Sequence, residues 1–469
     1  MKIETYYKIL EYLKDVIKGR EFEGHVYSVG GCERDKHLGL KEIKDIDLVV
    51  DLKDGGIRFA RWLHGMGLVR NGNIVVYENF GTAMFRLSAF PDEEIEVVHT
   101  RKETYRDKNS RNPETAFGTI EEDCFRRDFT VNALYHNIST GEDLDLTGMG
   151  LIDLEFGIIR TCDNPDSTFK DDPLRILRCI RFNCKLGFRI EEKTIEGIIK
   201  NANRLKIISQ ERITDEFNKI LMSANPVLGF VMLKDYGILD VIMPEVSEMY
   251  SHIRDRFERI TKSKYYTLET ALAVIFNKNI IKVEQKNEIL KNFKYSNDII
   301  KEVSLYAENS WGIELASALK YDSKIRELAM MCGDQEHFNK LIAVAKAMNL
   351  TRKEDTLQHV YVVDDIDKMF GYKLPVDGND IMDVLEIGPG KEIKIILNEL
   401  MEKAYENPKI TRSECMKHIV DQNAKSYENL NDIVYENNRV IRAYRDKMKE
   451  LDKNFNVIDF ECDAIKDEE

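Results

Sequence analysis

Proline is scarce, with 9 in 469 residues, and so is tryptophan, with 2. Few prolines leave room for long uninterrupted helices. No apolar run approaches the roughly 20 residues a membrane span needs, so no membrane partner is expected. Cysteines stand at 32, 124, 162, 179, 184, 332, 415 and 462 without a CxxC pair. That speaks against zinc and disulfide frameworks and for a reducing, cytoplasmic setting. Basic charge is in deficit: 69 Lys+Arg stand against 83 Asp+Glu, a net of −14. A broadly basic, histone-like nucleic-acid binder is thereby excluded, while a local basic groove is not. There is no internal repeat and no low-complexity linker. The first twenty residues are amphipathic and charged, unlike the apolar stretch of a secretory leader. At 43% hydrophobic and 32% charged residues, the chain is globular. Its length suggests two to four domains.

The hydrophobic pattern divides the chain. Ile3, Tyr6, Tyr7, Leu10, Leu13, Val16 and Ile17 recur at helical spacing. Short β-like runs follow at 25–29, 46–50, 74–77, 83–87 and 95–98, separated by Gly, Asn and Pro-Asp turn signals, with a helical stretch at 56–65. From about residue 170 the β signal nearly disappears, and helical spacing takes over at 173–186, 191–201 and 211–222. The expected fold class is α+β: a head containing a small sheet with helices on one side, then an all-helical remainder. The last thirty residues read as a charged helix with a frayed acidic tail.

The most informative stretch is Val29-Gly30-Gly31-Cys32-Glu33-Arg34-Asp35, followed by Lys44-Asp45-Ile46-Asp47-Leu48-Val49-Val50. On a strand, Asp45 and Asp47 project to one face, and two neighbouring carboxylates repel unless a cation such as Mg²⁺ lies between them. Gly30 and Gly31 let backbone approach a phosphate, and Arg34 adds a charged donor. Glu96 supplies a plausible third carboxylate, with Glu94, Glu96 and Val98 on one strand face. Arg127, Asp128 and Asn132, within Arg126-Arg127-Asp128-Phe129-Thr130-Val131-Asn132, offer phosphate donors and ribose-hydroxyl acceptors. Further on, Pro173 suits a first helical turn with Asp171 or Asp172 near its cap, and Arg175, Arg178 and Arg181 recur every third residue along one face.

The segments VGGCERD, KDIDLVV, FGTAMFRL, EVVHTRKETYR, EEDCFRRDFTVNAL, TFKDDPLRILRCIRF and ISQERITDEFNKIL resemble, in order, the motifs of the class II tRNA nucleotidyltransferases. These CCA-adding enzymes belong to the DNA polymerase β superfamily and share their head with bacterial poly(A) polymerases. The resemblance covers roughly residues 25–245. It implies a nucleotidyltransferase head (1–150), a neck with nucleotide-selecting helices (151–225), a helical body (226–350) and a helical, tRNA-binding tail (351–469). It further implies attack of a tRNA 3′-hydroxyl on the α-phosphate of CTP or ATP with two Mg²⁺ ions, building C, C and A without a nucleic-acid template. Asp45 and Asp47 match the metal-binding aspartates, Glu96 the third carboxylate, Gly31, Arg34 and Arg127 triphosphate contacts, and Asp128 a ribose contact. Asp172, Arg175, Arg178 and Arg181 fall on the nucleotide-selecting helix. A carboxylate accepts from an exocyclic amine and an arginine donates to a ring nitrogen, the edge that cytosine and adenine share. Thus Asp172 and Arg175, three apart, could meet one base edge.

Four features depart from the family pattern. Cys32 is not its common residue, and Glu33 replaces an apolar one, placing an extra carboxylate near the phosphates. Asp171 stands for a more frequent glutamate. Phe276-Asn277 occupies the place where many relatives carry the His-Asp of a metal phosphohydrolase. The polar segment 104–122 looks like the loop relatives need for the switch to A. The alternatives are a CC-, A- or poly(A)-adding polymerase of the same family, or a catalytically idle RNA-binding relative.

Overall fold

The computed structural model describes residues 1–78, 81–104, 114–349 and 354–423. Helix α1 (Ile3–Ile17) buries Tyr6, Ile9, Leu10, Leu13 and Ile17, one face at three-and-four spacing. Strand β1 (Val26–Val29) leads into helix α2 (Gly31–His37), strand β2 (Ile46–Val50) and helix α3 (Gly55–Gly65). Strands β3 (Val69–Tyr77), β4 (Thr82–Leu87) and β5 (Phe90–His99) form a meander. A hairpin of β6 (Arg101–Thr104) and β7 (Glu114–Phe117), helix α4 (Ile120–Phe125), and strands β8 (Tyr135–Asn137) and β9 (Asp143–Leu144) complete the head. Seven strands make one sheet in the order β3-β4-β5-β2-β1-β8-β9, with β2 and β5 parallel.

Period-two alternation decides what each face carries. Ile46, Leu48 and Val50 of β2, with Ile95 and Val97 of β5, pack against α1 and α3 around Phe59, Leu63 and Phe85. Each fully buried Leu or Phe contributes about 1.5–3 kcal/mol. Asp47, Glu96, Val49 and Val98 therefore face the other way. The expectation of helices on one side needs correction. The second face is partly covered as well, by a cluster of Tyr27, Val29, Val49, Cys124, Ala133, Tyr135 and Cys162 to which α4 contributes Cys124.

Helices α5 (Gly150–Phe156), α6 (Pro165–Asp171), α7 (Leu174–Leu186), α8 (Glu192–Asn201) and α9 (Gln210–Leu221) follow. One short parallel pairing of Ile158–Ile159 with Arg189–Ile190 is the strand structure in this stretch. The chain forms two compact units. Among the described residues, one comprises 1–320 with 334–362 and the other 321–333 with 363–423. The second has its own core of Val376, Ile381, Ile396, Leu400, Cys415 and Ile419. No described helix is long and apolar enough to cross a membrane. The segment expected as a loop at 104–122 starts and ends in the β6–β7 hairpin and α4. Its residues 105–113, and the expected C-terminal helix and acidic tail, lie outside the described residues.

Candidate active site

Parallel pairing of β2 with β5 sets Asp47 opposite Glu96, and Asp45 stands one residue before β2. The three carboxylates act on one another. Burial, then Glu96, raises the Asp47 carboxyl to about 6; Arg127 pulls it down and Asp45 adds further repulsion. Glu96 is raised too, first by desolvation, with Arg101 opposing and Asp45 and Glu94 reinforcing. Among the described residues, no lysine or arginine forms an ion pair with any of the three.

Gly30 closes the turn from β1 into α2 at φ +86° and ψ −132°, a conformation that L-residues with a side chain avoid. A Cβ there would stand 3.6 Å from Asp47 Oδ2 and 3.8 Å from Arg127 Nη1. The turn thus lies directly over the carboxylate face, with the Arg127 guanidinium beside it. Gly31 begins α2, near the guanidinium of Arg34.

Around this face runs a seam in which every charge is paired. Asp123 is fully buried on α4 and takes Arg126 at 2.5 Å, Arg127 at 3.0 Å and the Tyr135 hydroxyl at 2.8 Å. Burial would raise its carboxyl, but Arg127 and Arg126 outweigh that and hold it well below the usual carboxylate range. Asp128 accepts from Asn132 Nδ2 at 3.1 Å and from Arg178 Nη2 at 2.5 Å. Desolvation is again outweighed, here by Arg178, and the Asp128 carboxyl sits at about 2. Arg34 donates to Asn132 Oδ1 at 2.7 Å and pairs with Asp35 at 2.6 Å. Arg181 pairs with Glu216 of α9 at 2.6 Å and lies over the Phe182 ring.

The structure brings together Gly30, Asp45, Asp47, Glu96 and Arg127. Arg34, Asp128, Asn132 and Arg178 join them through the seam. Asp172 and Arg175 do not share a helix as the spacing suggests. Asp172 ends α6 in an extended conformation, accepts from the Leu174 N–H at 3.1 Å and lies 3.6 Å from Arg212. Arg175, inside α7, donates to the Arg126 carbonyl at 2.7 Å. Sequence reasoning passed over Asp123, Tyr135, Arg212 and Glu216. The adjoining Arg126-Arg127 pair was the available signal for Asp123, because paired buried guanidiniums require a carboxylate.

Glu33 corrects another expectation. Its carboxylate is fully buried away from solvent, accepting from the Tyr6 hydroxyl of α1 and pairing with Lys36 at 2.5 Å. The same ammonium meets Asp143 at 2.8 Å, and His136 bonds Asp143 at 2.5 Å. Glu33, His136 and Asp143 are close enough to hold a metal, yet Lys36 already supplies the cation between them. Asn277, in the place of the missing His-Asp pair, is buried and donates to Ser310 at 2.8 Å.

A glycine turn set over Asp47 and Glu96 on neighbouring strands, with Asp45 just before β2, is the arrangement a nucleotidyltransferase head requires. Comparison with known proteins agrees. Family models match for the poly(A) polymerase head domain over residues 26–160, for the polymerase RNA- and SrmB-binding region over 187–250, and for tRNA nucleotidyltransferase domain 2 over 265–420. A tRNA nucleotidyltransferase of Schizosaccharomyces pombe is 28% identical, over 84% of this chain and 90% of its own. Poly(A) polymerase I of Salmonella typhi is 31% identical, over 50% of each. Two solved structures share the fold. The CCA-adding enzyme of Bacillus stearothermophilus with CTP has a TM-score of 0.65 at 20% identity, covering 85% of this chain and 93% of that one. That of Thermotoga maritima with tRNA has 0.62 at 21%, covering 90% and 95%. Residues 26–160 are thus similar to the head of poly(A) polymerases and residues 265–420 to a domain of tRNA nucleotidyltransferases.

Proposed function

We propose that this chain adds C, C and A to the 3′ end of tRNA, taking CTP and ATP as substrates and using no nucleic-acid template. The observation that carries this reading is the match of residues 265–420 to tRNA nucleotidyltransferase domain 2, which extends the likeness beyond the head shared with poly(A) polymerases. In each cycle the RNA 3′-oxygen bonds to the α-phosphorus, the α–β phosphoanhydride bond breaks, and pyrophosphate leaves.

Asp45, Asp47 and Glu96 would hold Mg²⁺. Three oxygen donors of one sign, one of them raised to about 6 by burial and its neighbours, suit a hard divalent cation. Bound there, Mg²⁺ would supply charge neutralisation for the phosphates and a lowered pKa for the attacking hydroxyl. The chain's own residues do the rest. Gly30 and Gly31 let backbone approach the triphosphate, and the Arg127 guanidinium beside them adds a charged donor. Arg34 and Asn132 hold α2 against the turn at 130–132, and Arg178 fixes Asp128 for a ribose hydroxyl. Base choice is assigned to Asp172 and Arg175, which would exchange Arg212 and the Arg126 carbonyl for the base edge, with Arg181 steadying α7 through Glu216. We assign residues 1–150 as head, 151–225 as neck, 226–350 as body and 351–469 as tail, the helical parts docking tRNA. All seven described cysteines are buried free thiols, which suits the reducing cytoplasm as the site of action.

The test is incubation of the full chain with tRNA lacking its 3′ CCA, Mg²⁺ and each nucleotide separately, then CTP with ATP. CTP alone should add two residues, the pair should add three and then stop, and UTP and GTP should add none. Absence of addition, or an open-ended tract from ATP alone, would overturn the reading.

A further inference from the structure

Two rows of paired residues cross the sheet from the carboxylates to its outer edge. In one, Asp47 stands opposite Glu96, Glu96 opposite Met84, and Met84 opposite Val75. In the next, Val49 stands opposite Val98, Val98 opposite Thr82, and Thr82 opposite Tyr77. Ile74 and Val76 pack into the α1–α3 core, so alternation turns Val75 and Tyr77 to the carboxylate face. On β3, the last strand of the sheet, Val75 is 51% and Tyr77 46% exposed. Met84 lies half-buried between them and Glu96. A strip of apolar and aromatic surface thus continues outward from the third carboxylate.

The chemistry gives this side of the site a role. Entering and leaving oxygens lie on opposite sides of the phosphorus in a phosphoryl displacement. Gly30 and Arg127, the proposed triphosphate contacts, lie toward β1 from Asp47. With pyrophosphate leaving there, the attacking hydroxyl arrives from the Glu96 side, and its nucleoside lies over β4 and β3.

We propose that Val75, Met84 and Tyr77 form the stacking platform for the 3′-terminal nucleoside of the RNA primer. This rests on the transferase reading above and adds the primer's place to it. The occupant must be tolerated whatever its base, because the terminal residue changes with each addition. Stacking on an aromatic ring meets that requirement, since every base presents a π-face. Hydrogen-bond readout would not.

The experiment uses the full chain with tRNA lacking its 3′ CCA, comparing wild type, Tyr77→Ala and Tyr77→Phe. Tyr77→Ala should raise KM for the RNA about tenfold. KM for CTP and the thermal midpoint should stay unchanged, and Tyr77→Phe should behave as wild type. A second arm needs no turnover: a primer ending in 2-aminopurine should lose fluorescence on binding wild type or Tyr77→Phe, but not Tyr77→Ala. Equal RNA KM and equal quenching in Tyr77→Ala would overturn the platform while leaving the transferase reading intact. A wild type that quenches the primer yet extends no RNA would overturn the transferase reading and leave the platform standing.

Discussion

The head carries two acidic clusters, and a single lysine separates their meanings. Glu33, Asp143 and His136 converge on the ammonium of Lys36, which burial would deprotonate more easily but which Glu33 and Asp143 hold above its ordinary value. Among the described residues no lysine or arginine pairs with Asp45, Asp47 or Glu96, and burial with repulsion among the carboxylates raises Asp47 and Glu96 despite the opposing charges of Arg127 and Arg101. The first cluster is complete and braces α2 against α1 and the β8–β9 edge. In the second, no described lysine or arginine is ion-paired with the carboxylates, and the face lies under the Gly30 turn with Arg127 beside it. Proximity of carboxylates alone therefore identifies no metal centre; what distinguishes the sites is whether the chain supplies its own cation.

The sharpest way to break this contrast is Asp47→Ala. Nucleotide addition should be abolished, while the thermal midpoint holds or rises, because a repelled buried carboxylate is removed. Appreciable turnover in that variant would remove Asp47 from the site. Asp123→Ala should do the reverse to stability, leaving Arg126 and Arg127 buried without their carboxylate. A loss of about 3–5 kcal/mol is expected in denaturant unfolding, and an unchanged midpoint would contradict the paired seam.

Arg178→Met tests the seam by pH. Asp128 is held at about 2, below the ordinary 3.8, so its pairing stabilises the fold above about pH 4 and the benefit is lost as pH falls toward 2. The variant should be less stable than wild type by about 2 kcal/mol at pH 7. The gap should close near pH 2, as chemical unfolding across pH would record; a gap constant with pH would assign the loss to packing.

Glu33→Val is the mildest. Since Glu33 serves Tyr6 and Lys36, KM for CTP should not change, and stability should fall by about 1–3 kcal/mol. Adding Lys36→Met should cost less than the sum of the two single changes. A lowered KM for CTP would instead put Glu33 beside the triphosphate.

The sequence was legible where structure is local. The strand at 46–50 coincides with β2, and 95–98 lies inside the longer β5, because alternating apolar residues bounded by turn signals encode one half-buried strand. Strand β8 escaped notice: three residues after a turn carry no period. Residue spacing put Asp45 with Asp47 on one side and Glu94 with Glu96 on another, but the parallel pairing of β2 with β5 that sets Asp47 opposite Glu96 was not in the spacing. Nor were the side-chain partners. Arg178 meets Asp128 across 50 positions and Arg181 meets Glu216 across 35, distances over which sequence offers no pairing rule. Glu33 was misplaced for a related reason, since nothing local in a seven-residue helix told which of its sides faces Tyr6.

Calorimetric titration of the full chain with Mg²⁺, in wild type, Asp47→Asn and Asp143→Asn, tests the contrast most directly. Binding should vanish in Asp47→Asn and persist in Asp143→Asn, because Lys36 already fills the first cluster. Binding that survives in Asp47→Asn and is lost in Asp143→Asn would place the metal among Glu33, His136 and Asp143 and contradict the account.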